Sequence, residues 1–228
     1  MLKKLYFGLA SLKLRRYEKV LNHCDQILTI SDIETEYFEK KYGDKVTFLP
    51  AFHPNPKLHE LSKKGYFALY HGNLNVLDNM KTAFFLIDIF KSIPYPLAIA
   101  GQTNDKKLLA KVDQYKNISF IPIENNHQLT ELFHRAHVNV LHSFNNSGVK
   151  LKLINALFQS RFVITNQQVV EGSSLNSLCI MANNKKEIIN QVLKIIEKDF
   201  SKEDLDLRKE KLAIYNNQKN AEILLNLL

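Results

Sequence analysis

From residue 66 onward the chain alternates short apolar runs with stretches of helical period, and this alternation constrains the fold more than any other feature. The apolar runs are Tyr66 to Tyr70, Leu97 to Ala100, Ile118 to Ile121, Val138 to Leu141, Phe162 to Ile164 and Leu178 to Met181. Helical patterns lie between them at about 77 to 91, 105 to 115, 127 to 134 and 149 to 158, and another follows the last run at about 185 to 198. Strands separated by helices pair in parallel through crossovers. The spacing therefore predicts an α/β fold, a doubly wound parallel sheet covered by helices on both faces. Ligands of such sheets bind beyond the carboxyl ends of the strands.

The flanking segments read differently. Residues 1 to 23 form a helical pattern with Leu5, Leu9, Leu12, Arg16 and Val20 on one face. A short strand, QILTI, follows, and Ser31 with Glu34 three positions later marks a helix start. That helix ends near Tyr42 and Gly43, Lys45 to Leu49 is extended, and Pro50, Pro54 and Pro56 make residues 50 to 57 a linker. Glu203 to Leu228 is a mostly polar helix with an apolar end, interrupted at Asn216-Asn217. The expected division is 1 to 50, 51 to 200 and 201 to 228.

With 228 residues and 45% hydrophobic content the chain can bury one substantial core, or one domain and a fragment of a second. Lys3, Lys4, Lys13, Arg15, Arg16 and Lys19 face only Glu18 in residues 1 to 23, which places five of the net eight positive charges in that helix. The remainder is near neutral, which weighs against a broad nucleic-acid surface. The basic helix leaves two readings: a packing helix with a solvated charged face, which is favoured, or an anionic membrane contact through Tyr6, Phe7 and Leu9. Two distant cysteines, Cys24 and Cys179, give neither a disulfide framework nor a zinc site and fit a reducing compartment. No run has the length of a membrane span, and LYFGLASL leads into KLRRYEK instead of a signal cleavage site. The expected location is the cytoplasm.

Ser143 to Phe158, SFNNSGVKLKLINALF, carries the strongest chemical signal. A strand, a loop closed by Gly148 and a helix with Lys150 and Lys152 in its first turn place free amides and two ammonium groups at one point, which suits a diphosphate. An ordinary helix with solvated lysines is the open alternative. His71-Gly72-Asn73 and Gly101-Gln102 follow two other strands and would converge on the same cleft, their glycines admitting a ligand to the backbone or merely ending the strands. His71 is expected to be a hydrogen-bonded structural residue rather than a base. No G-x-G-x-x-G turn, Walker A lysine, metal-ligand spacing or catalytic triad is present, so no metal, no cofactor and no catalytic residue is assigned.

In order, HCDQILTISDIETEYFEKKYG, KVTFLPAF, YHGNLNVLDNM, PLAIAGQ, ISFIPI and LTELFHRAHVNVLHSFNNSGVKLKLINALFQSRFVIT resemble the C-terminal half of a GT-B glycosyltransferase of the group 1, family 4, retaining type. The resemblance runs from about residue 17 to the end. It implies a Rossmann-like donor-binding domain at 51 to 200, a remnant of the N-terminal domain at 1 to 50 and a crossover helix at 201 to 228. Most of the acceptor-binding domain has no counterpart here.

The family's diphosphate-binding arginine falls at Asn73 and its lysine at Asp78, while the glutamates of its E-x7-E motif fall at Ser147 and Asn155. GVKLKLINAL nevertheless fits a branch pattern, G-[TV]-[RK]-L-K-[IL]-[LI]-x-A-L. By resemblance, Gly72, Asn73, Gly148, Lys150 and Lys152 hold the diphosphate, and Ser147 and Asn155 meet ribose or sugar. The nucleobase lies against the turn at Ile121, Pro122 and Ile123. The implied activity is transfer of a hexose from a nucleoside diphosphate sugar to a glycan or lipid-linked acceptor in polysaccharide biosynthesis, with a separate N-terminal domain as a partner. A degenerate nucleotide-sugar-binding module without turnover is the alternative.

Overall fold

The computed structural model describes residues 2–55, 57–61, 63–146 and 148–227, with nothing assigned to the side chains of residues 2–4. The chain opens with α1 (Leu2–Glu18), a 3-10 turn (Lys19–His23), β1 (Ile27–Thr29), α2 (Asp32–Tyr42) and β2 (Val46–Phe48). After the linker come β3 (Ala68–Asn73), α3 (Leu77–Phe90), β4 (Leu97–Gln102), α4 (Lys106–Val112), β5 (Ile118–Pro122), α5 (Asn126–Arg135) and β6 (Val138–Leu141). Then follow α6 (Leu151–Gln159), β7 (Phe162–Thr165), the short α7 (Gln167–Val170), β8 (Ile180–Met181), α8 (Lys185–Ile195), α9 (Lys202–Leu212) and α10 (Asn217–Leu225).

β3 to β8 form one six-stranded sheet in the order β5-β4-β3-β6-β7-β8. Every pairing is parallel. This is the doubly wound order, in which the winding reverses between β3 and β6. Alternation along the strands divides the apolar residues between two layers. Tyr70, Ile99, Val138, Val140 and Ile164 pack under α3, α4 and α8, through Leu86, Phe90, Leu108 and Val192. Leu69, Ala98, Ala100, Leu141 and Val163 pack under α5 and α6, through Leu132, Phe133, Ile154 and Leu157. Tyr70, Leu86, Phe90, Ile99 and Ile154 reach 0% exposure, as a sheet buried on both faces requires.

Side-chain caps set several helix starts. Ser31 accepts from Glu34 N, Asp105 from Leu108 N, Asn125 from Gln128 N and Asn184 from Glu187 N. The expected interruption at Asn216-Asn217 separates α9 from α10, with Asn216 capping the latter. Strand bounds differ at the ends that matter. β3 begins at Ala68 and continues through His71, Gly72 and Asn73, and β4 includes Gly101 and Gln102. These residues were expected in loops. They stay in the sheet because each pairs with the other strand, His71 with Ala100, Gly72 with Gly101 and Asn73 with Gln102. Lys150 likewise precedes α6 as its N-cap residue, and only Lys152 lies in the first turn.

β1 and β2 form a separate two-stranded parallel sheet. α2 joins this unit to the main one: Asp32 N donates to Gly172 O at 3.3 Å. Among the described residues α1 is tied at its carboxyl end, where Glu18 accepts from Lys41 and from the Tyr37 hydroxyl, and its carbonyl accepts from Tyr42. Leu5, Tyr6, Phe7, Leu9, Leu12, Leu14 and Tyr17 are each more than half exposed. The packing-helix reading of residues 1 to 23 is therefore not met within this chain. No helix among the described residues is long and apolar enough to cross a membrane.

Candidate functional site

The winding reversal leaves a crevice above the carboxyl ends of β3 and β6, and the first turn of α3 is the hub of the side chains there. The Tyr70 hydroxyl donates to Asn79 O at 3.0 Å, and Thr82 Oγ1 donates to Asp78 O or His142 O. Asn79 Nδ2 donates to Asn73 O at 2.9 Å, while its Oδ1 accepts from Lys152 Nζ at 2.8 Å. A single amide thus bridges the end of β3 and the start of α6. Asp78 Oδ2 lies 3.2 Å from the Ser143 hydroxyl. Ser143 is itself clasped by Asn166, whose Oδ1 accepts from Ser143 N and whose Nδ2 donates to Ser143 O.

Lys152 is largely buried, and that burial pushes its ammonium down to about 8; Asp78 opposes the shift and Lys150 adds to it. The result is a largely desolvated cation hydrogen-bonded to the neutral Asn79 amide, with the Tyr70 ring centre 5.4 Å away, at the positive end of the α6 dipole. Gly148 adopts φ +61° with open space where a Cβ would sit, so glycine there serves the turn and not a close contact. Beside this loop Phe144 packs edge-on against His142 and Phe85, with Lys81 Nζ 3.8 Å from its ring centre.

A cleft of about 300 Å³ opens next to this point, lined by His71, Gly72, Asn73, Ile123, Asn126 and Leu129 among others. A recess of about 220 Å³, lined by Asn55, Thr130, Asn155 and Gln159, shares Asn126 and Leu129 with it. The structure therefore brings Gly72, Asn73, Lys152, Asn155 and Ile123 to one side of the sheet edge. Ile121 and Ile123 both pack toward the α5/α6 core, of the two only Ile123 is among the residues lining the cleft, and Pro122 ends β5 opposite Gly101. Ser147 lies outside the described residues. Among the described residues no group of three His, Cys, Asp or Glu side chains is placed to hold a metal ion.

His71 corrects an expectation. It is 5% exposed, and among the described residues neither ring nitrogen has a hydrogen-bond partner of good geometry, the polar side chain beside it being Asn139. The ring packs edge-on against Phe133 at 4.8 Å. Burial first, and then the charge of Lys152, push its pKa down to about 3, which keeps the ring neutral and unsuited to accept a proton. Sequence reasoning passed over Asn55, Asn79, Asn126 and Gln159. Asn55, between two prolines in PNP, carried the only local signal.

No protein-family model matches the chain, and no curated protein does. Solved structures match across most of its length. TarM aligns at 16% identity over 93% of this chain and 46% of its own, with a TM-score of 0.65. The lipopolysaccharide outer core galactosyltransferase WaaB aligns at 12% identity over 91% of this chain and 62% of its own, with a TM-score of 0.65. Alr3699/HepE from Anabaena, solved in complex with UDP and glucose, aligns at 13% identity over 92% of this chain and 66% of its own, with a TM-score of 0.67. The fold is the Rossmann-like GT-B glycosyltransferase fold. The chain spans about half to two thirds of the length of these GT-B structures.

Proposed function

We propose that this chain is the donor-binding half of a glycosyltransferase of the family 4 type, transferring a hexose from a nucleoside diphosphate sugar to a glycan or lipid-linked acceptor in polysaccharide biosynthesis. The observation that carries the proposal is the convergence of Lys152, the start of α6 and the end of β3 at the winding reversal, joined by Asn79. Cleaving the bond between sugar and diphosphate builds negative charge on the departing phosphate. A desolvated ammonium and aimed amides stabilise that charge more in the transition state than in the ground state. Lys150 and Lys152 supply positive charge without a metal ion. The diphosphate occupies the Gly148 to Lys152 turn beside Gly72 and Asn73, the ribose lies toward Asn155, and the base enters the cleft at Ile123. HepE, with the same fold, was solved with UDP-glucose, and a mutant of S. aureus TarM with fondaparinux, alpha-GlcNAc-glycerol and UDP.

The acceptor side belongs to a further unit packed against β1, β2 and α1, which on this reading are the remnant of an N-terminal domain, and α1 also supplies a basic surface for the cytoplasmic face of a membrane. A second reading, a nucleotide-sugar-binding module without turnover, draws support from Asp78, a carboxylate 3.2 Å from Ser143 beside the phosphate turn, and from Asn155 in place of an acid. Isothermal titration with UDP, GDP and ADP tests both. Binding to one of them, weakened at least tenfold in Lys152→Ala and by less in Lys150→Ala, is expected; no binding to any would sink both readings. Hydrolysis of the matching sugar nucleotide separates transferase from module.

A further inference from the structure

The linker reaches into the candidate site through Asn55, which is 9% exposed. Its Nδ2 donates to Asn155 Oδ1 at 3.0 Å, and its Oδ1 accepts from Gln159 Nε2 at 2.7 Å. Gln159 Oε1 lies 3.2 Å from His134 Nε2. A carbonyl oxygen only accepts, so that ring nitrogen carries the proton. The groups form one chain with a single direction, from His134 through Gln159 and Asn55 to Asn155. Asn155 Oδ1 is thereby engaged, and among the described residues its Nδ2 is the donor left for whatever enters the recess that Asn155 lines.

The backbone that carries Asn55 is held from both sides. Asn55 N donates to His53 Nδ1 at 3.3 Å, so His53 Nε2 donates to Tyr215 O at 2.7 Å. His53 N and O bond the Asn217 side chain at 3.3 and 2.6 Å. The His53 ring lies against Phe158 with centres 4.2 Å apart. Asn55 therefore sits on a segment pinned to α6 and to the start of α10, and a donor fixed in this way needs little ordering when a ligand arrives.

We propose that Asn55 is a positioning residue that locks the Asn155 amide with its N–H outward, so that the recess recognises a ribose hydroxyl through the oxygen of that hydroxyl. This rests on the nucleoside diphosphate reading above. It differs from a glutamate at the same position, which can only accept. Asn55 acts through Asn155 and touches no reacting atom.

The test compares the full chain with Asn55→Leu and Asn55→Asp. The probes are the nucleoside diphosphate that binds, its 2′- and 3′-deoxy analogues, the corresponding O-methyl ethers and inorganic pyrophosphate. The wild-type chain should bind one deoxy analogue roughly fivefold more weakly, the size of one ordinary hydrogen bond, while the matching ether, which keeps the accepting oxygen, stays within about twofold. Asn55→Leu should cut the deoxy penalty to about twofold or less. Asn55→Asp, which only accepts, should turn the Asn155 amide around so that its oxygen accepts from the hydroxyl, and the ether should then bind as weakly as the deoxy analogue. Pyrophosphate affinity should hold in both variants. An unchanged deoxy penalty in Asn55→Leu overturns the positioning role, and an ether as weak as the deoxy analogue in the wild type overturns the stated polarity. Loss of pyrophosphate binding in the variants would make Asn55 a structural residue only. If the wild type binds no nucleoside diphosphate, the underlying reading fails first.

Discussion

Lys152 and His71 occupy neighbouring positions beneath the crevice, and the same cause, burial, moves both pKa values downward with opposite consequences. Lys152, at about 8, is charged at neutral pH and loses its proton as pH rises through that value. Nucleotide affinity should therefore fall about tenfold between pH 7 and pH 9. Lys152→Arg should flatten the profile, and titration calorimetry at the two pH values decides it. His71, at about 3, is neutral in the fold but takes up a proton in the unfolded chain below its ordinary pKa of 6.5. Its contribution is present above pH 6.5 and is lost as pH falls toward the folded value, at up to about 1.4 kcal/mol per pH unit. His142, pushed down to about 4 by burial, adds in the same sense. Urea midpoints at pH 7 and pH 5 should drop for the wild type and drop less for His71→Leu; equal drops would show that His71 contributes nothing. Lys152 was legible from its place in GVKLKL. The orphaned ring of His71 was not, because hydrogen-bond satisfaction depends on the neighbouring strand and helix.

At the scale of elements, the carboxyl ends of β3 and β4 show why loops were expected where strands occur. A Cβ on Gly101 would stand 2.1 Å from Gly72 O, so the glycine permits two adjacent strands to stay paired to their ends. Gly101→Ala should cost about 3 kcal/mol by forcing the backbones apart, and nucleotide binding should weaken with it; a denaturant midpoint within error of the wild type would refute this. The first turn of α3 was foreseen only as a mismatch at Asp78. Its hub role comes from Asn79, whose side-chain NH2 and carbonyl reach two different elements. A helix start such as that of α2 was easier, because Ser31 with Glu34 signals locally.

For the whole molecule, the main sheet is covered on both faces while α1 and the β1–β2 pair are not. Two strands do not make an independently stable sheet, and contiguous exposed apolar side chains seek cover. In isolation the chain should self-associate with rising concentration, and replacing Leu5, Leu9 and Leu12 together by Ser should reduce this in sedimentation runs without moving the unfolding midpoint by more than about 1 kcal/mol. The parallel α/β class, the order of its elements and the cationic turn at α6 were determined by the sequence itself. Those follow from local period, from glycine, and from charge placed near a helix start, all of which act over a few residues. The winding order, the continuation of β3 and β4 to their glycines, the bridge from Lys152 to Asn73 and the reach of Asn55 into the recess were decided only in the tertiary structure. Each depends on groups up to about a hundred positions apart, Asn55 and Asn155 among them, whose contact exists only once the sheet has been wound.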